Sequence, residues 1–594
     1  MPMTRKPYRK KSKRNRTNSA VFESIPIQRM RWVFSILSLG LSLLMVRMAW
    51  LQVFQAPKLE ARARLVQTKK TIPLGTRRSI VDRLGRLVAL DEERFRLWAH
   101  PRYFNFPGDK PSTVRKPIEV SRKLSALVGV PIEELLGRLR NRASGVRLID
   151  NLDSETAHEI RKLGISGLDL DAYPQRVYPQ GNLFANVVGF LNQDRVPQAG
   201  LEQSLHQKLL RKEEIRTIRR GADGTPLPDN LAPEIFTQDD LRLQLTLDAR
   251  LQELALEALV DQVKEWNAQK GAAIVMDVTN GELLALASTP TYDPNVYWKF
   301  SPRLFKEWSV QDLFEPGSTF KPINLALALQ ERVIKPNGKV EDTGSLTIGG
   351  WPIFNYDNRA NGVIGFARVL QVSSNVGMVK IMRKLEPSKY WDWLHRLGVD
   401  VQPFTDLPGA VAGQLKSKED FSSRKIESAT ASYGQGLSLT PLKLAQLHAL
   451  IANGGYLVKP HITKGFMDIS GNKIIESKKR QKLLRPEVTH TVLNWMESVV
   501  EEGSGKKVRT PGYRIGGKTG TAQKVVNSIY KPGLKICSFV AILPIVDPRY
   551  LVLVVIDEPK GSNAYGSTVA VPVAKKIIDG LIVLEKIQPN KNTN

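Results

Sequence analysis

Glu315-Pro316-Gly317-Ser318-Thr319-Phe320-Lys321-Pro322 sets a turn directly ahead of a helix. Pro316 and Gly317 form the turn, and the apolar residues Ile323, Leu325, Leu327 and Leu329 continue as the helix. Pro322 lacks a backbone N–H and is tolerated near a helix start, where donors have no intrahelical partner. Ser318 and Lys321 are therefore expected in or beside the first turn, three residues apart on one face. A hydroxyl beside an amine becomes a nucleophile once that amine sheds its proton. The positive end of the helix dipole and the free N–H groups of the turn favour the developing negative charge.

A lone Ser-x-x-Lys is a common solvated surface pair, and the chain has five, starting at Ser318, Ser422, Ser470, Ser504 and Ser528. Two further segments single out the first. Ser373-Ser374-Asn375 supplies a hydroxyl and an amide on a short turn, 55 residues beyond Ser318. Lys518-Thr519-Gly520-Thr521 follows Gly516-Gly517 and precedes strand-like residues, 145 residues beyond Ser373. The ordered triple Ser-x-x-Lys, Ser-x-Asn, Lys-Thr-Gly is the serine acyl-transferase signature of penicillin-binding proteins and serine β-lactamases.

The rest of the composition narrows the class. At 594 residues, 42% hydrophobic and 24% charged, the chain is expected to fold as several globular domains. One cysteine, Cys537, excludes an intramolecular disulfide framework and a Cys-based zinc site. The seven histidines show no metal-ligand spacing, so neither a cofactor nor a metal is expected. Net charge is +29, of which residues 1–31 carry +9 and the remainder +20, spread out. No nucleic-acid-binding motif accompanies it, and an anionic cell envelope suits such a surface.

Along the chain, the basic tail of residues 1–31 reads as disordered. Residues 32–54 are uncharged apart from Arg47, predominantly apolar, and long enough for one bilayer span. No small-residue cleavage site follows, so an uncleaved anchor is expected, with the N-terminus cytoplasmic and the remainder outside the membrane. Residues 55–235 offer no catalytic cluster and read as a non-catalytic pedestal. Residues 236–588 carry strands at 272–278, 283–287, 537–543 and 550–556, helical stretches through 366–396 and 440–453, and a last helix at 571–584. This predicts an α+β fold: one sheet with helices packed on it and a helical subdomain inserted.

The chain resembles the class B penicillin-binding proteins of the division type. The resemblance covers nearly everything after the tail: the single anchor, Ser79-Ile80-Val81-Asp82-Arg83-Leu84-Gly85-Arg86, Arg176-Val177-Tyr178-Pro179, Gly200-Leu201-Glu202, the three motifs, and Tyr433-Gly434-Gln435-Gly436-Leu437-Ser438-Leu439-Thr440-Pro441. It implies a β-lactamase-like transpeptidase domain, an antiparallel sheet with helices, on an elongated dimerisation-type pedestal. Elongation-type relatives often carry Asp as the third residue of the second motif, so Asn375 favours division.

The resemblance also implies roles. Ser318 attacks the penultimate D-Ala carbonyl of a stem peptide ending D-Ala-D-Ala. Lys321 is the general base, relayed through Ser373, and its pKa must be depressed by burial and by Lys518. Asn375 holds the donor amide, and Lys518, Thr519, Gly520 and Thr521 hold the terminal carboxylate. A diamine of a second stem resolves the acyl-enzyme, and penicillin and other β-lactams mimic the donor. Divisome proteins and a separate glycosyltransferase are implied partners at the septum of the inner membrane. The competing readings are an elongation-type transpeptidase, a D,D-carboxypeptidase or β-lactamase using water, and a β-lactam sensor or envelope scaffold. Against the water-using enzymes stand the span and the pedestal; against the sensor stands a tail too short for an effector domain. Tyr433 reads equally as cleft or core, His448 and His461 as surface or core, and Glu502 and Ser504 as loop-shaping residues.

Overall fold

The computed structural model describes residues 27–71, 76–211, 216–219, 241–468, 470–471, 473–474, 480–526 and 529–590. The tail of residues 1–26 and the expected domain boundary at 235 and 236 lie outside the described residues. The chain divides into two compact units, residues 1–73 with 214–237, and residues 74–213 with 238–594.

In the first unit one apolar helix runs from Ile27 to Phe54, 28 residues with none of the apolar window buried. At 1.5 Å per residue it is about 42 Å long, more than one hydrocarbon core requires. It starts five residues before the expected span, because Gln28, Arg29, Met30 and Arg31 are good helix formers whatever their polarity. The last turn, Trp50–Phe54, is wound as a π-helix. A helix at Ala56–Gln67 follows, and Thr68–Thr71 pairs antiparallel with Arg216–Arg219.

In the second unit, residues 80 and 81 form a short strand, the chain turns over residues 82–86, and a long strand runs from Leu87 to Ala99. Asp82 builds the turn: its Oδ1 accepts from Leu84 N at 2.9 Å and Arg86 N at 2.8 Å. Its Oδ2 accepts from Ala249 N at 3.2 Å, the first N–H of the helix Ala249–Glu265. A carboxylate there complements the positive helix end. The strand Arg242–Leu245 pairs parallel with Ile80–Val81 and antiparallel with Thr463–Met467. One seven-stranded sheet thus runs from the pedestal into the catalytic region. Buried ion pairs among Arg77, Asp91, Arg176 and Glu202 brace the pedestal side.

The second large sheet is antiparallel throughout, in the order Gly516–Val526, Ile529–Leu543, Tyr550–Asp557, Lys270–Asp277, Leu283–Thr289. Its central strands are apolar without alternation because both faces are covered. Phe539, Ala541, Val552 and Val554 face the helices Ala249–Glu265 and Gly566–Leu584. Val540, Ile542, Leu551 and Leu553 share a core with the helices Lys321–Gln330 and Pro441–Ala452. The two sheets and their helices agree with the α+β expectation, with two adjustments. The helical stretch at 366–396 is three helices, Phe366–Gln371, Asn375–Met382 and Pro387–Arg396, separated at Ser373 and Glu386. The last helix begins at Gly566, not at residue 571, and Pro572 lies inside it.

Candidate active site

The first motif begins with a clamp. Gly317 adopts φ +55° and donates from its N to Gly434 O at 2.8 Å. Gly434 adopts φ +82°, and a Cβ there would stand 2.1 Å from Gly317 O, so only glycine permits this approach. Residues 317–320 form a tight 3-10 turn that passes into the helix Lys321–Gln330, with Pro322 in its first turn. Thr319 Oγ1 donates to Pro316 O at 2.7 Å. His448 Nε2 donates to Thr319 O at 2.8 Å from behind, fully buried, and burial takes this imidazole down to about 4.

Lys321 is fully buried at the start of that helix. Its Nζ donates to Ser373 O at 2.6 Å and Asn375 Oδ1 at 2.7 Å, and lies 3.3 Å from Ser373 Oγ. Those two acceptors use both hydrogens of a neutral amine and leave its lone pair for a hydroxyl. Burial, then the ammonium of Lys518, hold Lys321 well below the ordinary lysine range, against the weaker pull of Asp342.

The second motif is presented by a cap. Ser374 Oγ accepts from Gly377 N at 2.8 Å as N-cap of the helix Asn375–Met382. Ser373, just before it, takes φ +56°, rare for a residue with a Cβ. The middle serine therefore serves the helix, while Ser373 and Asn375 flank it on the cleft. Asn375 Nδ2 donates to Phe354 O at 2.9 Å.

The third motif lies on the edge strand Gly516–Val526. Lys518 is fully buried, and its Nζ donates to Ser373 Oγ at 3.0 Å and Thr519 O at 2.9 Å. Burial lowers it to about 7. Thr519 Oγ1 lies 2.6 Å from Ser504 Oγ. Gly520 is where the strand crosses the turn that carries Ser318: a Cβ would meet Ser538 Oγ at 2.4 Å and Thr319 Cγ2 at 2.9 Å. Thr521 Oγ1 accepts from Gly566 N at 3.0 Å, at the N-terminus of the closing helix.

Ser318, Ser373, Asn375, Thr519 and Thr521 line one cleft of about 440 Å³. Lys321 and Lys518 meet at Ser373 beneath it, and Gly520 packs against the turn. All eight residues singled out in the sequence thus fall in one place. Tyr433 and Ser504 also line the cleft, so Ser504 does more than shape a loop; its hydroxyl contact with Thr519 had no local signal. Tyr356 and Tyr565 line it without any sequence motif to mark them. A larger groove of about 1060 Å³ lies beyond Glu315 and contains none of the motif hydroxyls or amines. The cleft holds a hydroxyl at a helix start, two lysines with depressed proton affinity and a bridging hydroxyl, a set suited to acyl transfer through an ester.

Comparison with known proteins agrees with this geometry. The family described as "Penicillin binding protein transpeptidase domain" matches residues 271–579, and "Penicillin-binding Protein dimerisation domain" matches residues 74–229. A peptidoglycan D,D-transpeptidase FtsI homolog of Mesostigma viride is 38% identical, over 93% of this chain and 95% of that one. The peptidoglycan D,D-transpeptidase FtsI of Escherichia coli K12 is 31% identical, over 95% and 93%. Among solved structures, a peptidoglycan synthetase from Bifidobacterium adolescentis superposes with TM-score 0.68 at 24% identity, over 89% of this chain and 98% of that one, a likeness of fold. The chain belongs to the penicillin-binding protein transpeptidase family.

Proposed function

We propose that this chain is a peptidoglycan D,D-transpeptidase that cross-links stem peptides during septal wall synthesis, anchored in the plasma membrane by residues 27–54 with its catalytic part outside. The observation that carries the reading is the meeting of Lys321 and Lys518 on the Ser373 hydroxyl, 3.3 and 3.0 Å away, beneath the cleft that Ser318 lines. The likeness to named FtsI homologues over nearly the whole chain supports division duty.

Neutral Lys321 takes the Ser318 proton, directly or through Ser373, as Oγ attacks the penultimate D-Ala carbonyl. Backbone N–H groups of Ser318 and Thr521 stabilise the oxyanion. The proton passes to the leaving nitrogen, the D-Ala–D-Ala amide bond breaks, and free D-Ala departs. The result is an ester on Ser318. The amine of a second stem attacks that ester, an amide forms, and the Ser318 hydroxyl is restored. Asn375 holds the donor amide, while Lys518, Thr519, Gly520 and Thr521 form the carboxylate seat. Penicillin enters as the donor and leaves a slowly hydrolysed ester. Divisome proteins and a separate glycosyltransferase would supply position and strands.

Fluorescent penicillin applied to the full chain tests this. One adduct mapping to Ser318 and absent from Ser318→Ala is expected; label that persists in that variant removes Ser318 from the reaction. Purified enzyme given glycan-linked pentapeptides should release D-Ala and form cross-linked dimers. D-Ala release without dimers would favour a carboxypeptidase.

A further inference from the structure

Among the described residues that line the cleft, none carries a charged side chain. Lys321 and Lys518 lie buried beneath it, and Lys518 Nζ already donates to Ser373 Oγ and Thr519 O. A terminal carboxylate beside the third motif therefore depends on hydroxyl protons, and these can be counted. Thr521 Oγ1 accepts from Gly566 N at 3.0 Å, which leaves its own proton free. Thr519 has a different partner. Its Oγ1 lies 2.6 Å from Ser504 Oγ, and among the described residues no other hydrogen bond engages either hydroxyl. Two hydroxyls joined by one hydrogen bond hold two protons, and only one is used between them. The other is left over whichever of the two donates. Both residues line the cleft, so that proton is available to a ligand.

The loop that carries Ser504 is held by its backbone. It follows the helix Pro486–Glu502, and Gly503 N and Gly505 N both donate to Val499 O, at 3.0 and 3.1 Å. A Cβ on Gly503 would lie 2.8 Å from that same oxygen, so the reversal is built for glycine. The Ser504 hydroxyl thus has no part in fixing its own loop and serves the cleft. A free carboxylate presents two oxygens, and donation to each is charge-assisted. Thr521 supplies one proton and the Ser504–Thr519 pair the other. An ester or amide in the same place offers one carbonyl oxygen and no full charge. We propose that Ser504 is a specificity-determining residue: by partnering Thr519 it completes a two-proton seat, so the cleft selects stems ending in a free carboxylate over stems whose terminus is blocked. This rests on the transpeptidase reading.

The test uses purified full chain and two probes, benzylpenicillin and its methyl ester, which share the reactive ring and differ at the carboxyl group. Acylation is read as loss of sites for fluorescent penicillin. Ser504→Ala is expected to slow acylation by benzylpenicillin ~10-fold, the scale of one hydrogen bond to a charged group. Its rate with the ester should stay within about two-fold of wild type, so the preference for the acid falls. Ser504→Thr, which keeps the hydroxyl, should restore most of that preference. A stem pentapeptide and its C-terminal amide should repeat the pattern in release of the last residue. Equal losses with acid and ester overturn the proposal and make Ser504 a brace for the cleft as a whole. An unchanged benzylpenicillin rate in Ser504→Ala overturns it too, as does a Ser504→Thr variant no faster than Ser504→Ala. Should the ester react with neither protein, the benzylpenicillin rate and the Ser504→Thr rescue decide. Failure of wild type to take penicillin at all would instead sink the transpeptidase reading.

Discussion

Asn355 Nδ2 donates to both carboxylate oxygens of Asp342, at 2.8 and 2.9 Å, in a fully buried setting. The other end of that amide reaches the second motif: Asn355 Oδ1 accepts from Asn375 N at 2.9 Å, Val376 N at 3.2 Å and Ser374 Oγ at 3.3 Å. Burial would raise the Asp342 pKa, yet hydrogen bonds from Gly344 N, Ser374, Asn361 and Asn355 outweigh it and hold the carboxyl below its usual range. Asp342 thus fixes the amide that fixes the turn on which Ser373 and Asn375 stand.

Asp342→Ala should therefore slow penicillin acylation about 10–100-fold, the scale of a small misplacement of reacting groups. Adding Asn355→Ala should cost little more, because the two residues act as one unit. Additive losses in that double variant would show that they act separately.

Lys321→Met keeps volume and burial but removes the amine. Acylation should fall by about 10³ or more while the folded protein still purifies. In wild type the acylation rate should rise with pH as Lys321 loses its proton, and level off well below the ordinary lysine pKa. Lys518→Gln removes a neighbouring positive charge, so the Lys321 proton should be held more tightly and the rising limb should move to higher pH. A limb that stays in place would exclude the Lys518 contribution.

His448 gives a stability test. Its folded pKa of about 4 lies below the unfolded value near 6.5. Above pH 6.5 both states are neutral and nothing is lost. Between 6.5 and 4 the unfolded chain takes a proton that the native chain refuses, so stability falls with pH, by roughly 3 kcal/mol in all. Thermal melts at pH 7 and pH 5 should show a smaller drop for His448→Gln than for wild type. Equal drops would mean that His448 is protonated without unfolding.

Gly520→Ala should disable the site without touching a reacting group. The new methyl would lie 2.4 Å from Ser538 Oγ, 2.9 Å from Thr319 Cγ2 and 3.2 Å from Pro316 O. The strand and the nucleophile turn must separate, and acylation should drop at least ~10-fold with a destabilisation of about 1–3 kcal/mol. Removing one neighbour with Ser538→Gly should recover part of it. Normal acylation by Gly520→Ala would show that the turn tolerates the shift.

Several of these features were readable along the chain, because they depend on short-range geometry. Pro316, Gly317 and Pro322 prescribe a turn entering a helix whatever surrounds them, and this places Ser318 ahead of Lys321. The apolar runs at 537–543 and 550–556 announce strands. The closing helix starts five residues before the expected 571, at Gly566, whose N–H is held by Thr521 Oγ1 from a distant strand. Ser504, Tyr356, Asp342 and Asn355 carry no local pattern: each is defined by a neighbour at least 13 residues away or by a cleft assembled from distant segments.

What the amino-acid order determined alone is the inventory: a hydroxyl three residues before a lysine at a helix start, a short turn with Ser373 and Asn375, and a lysine ahead of strand-like residues. Only tertiary structure decided that Lys321 and Lys518 share the Ser373 hydroxyl, and that burial strips both of their usual hold on a proton. The reason is physical. Turns and caps are set by dihedral preferences within a few residues, whereas desolvation depends on every atom the folded chain brings near.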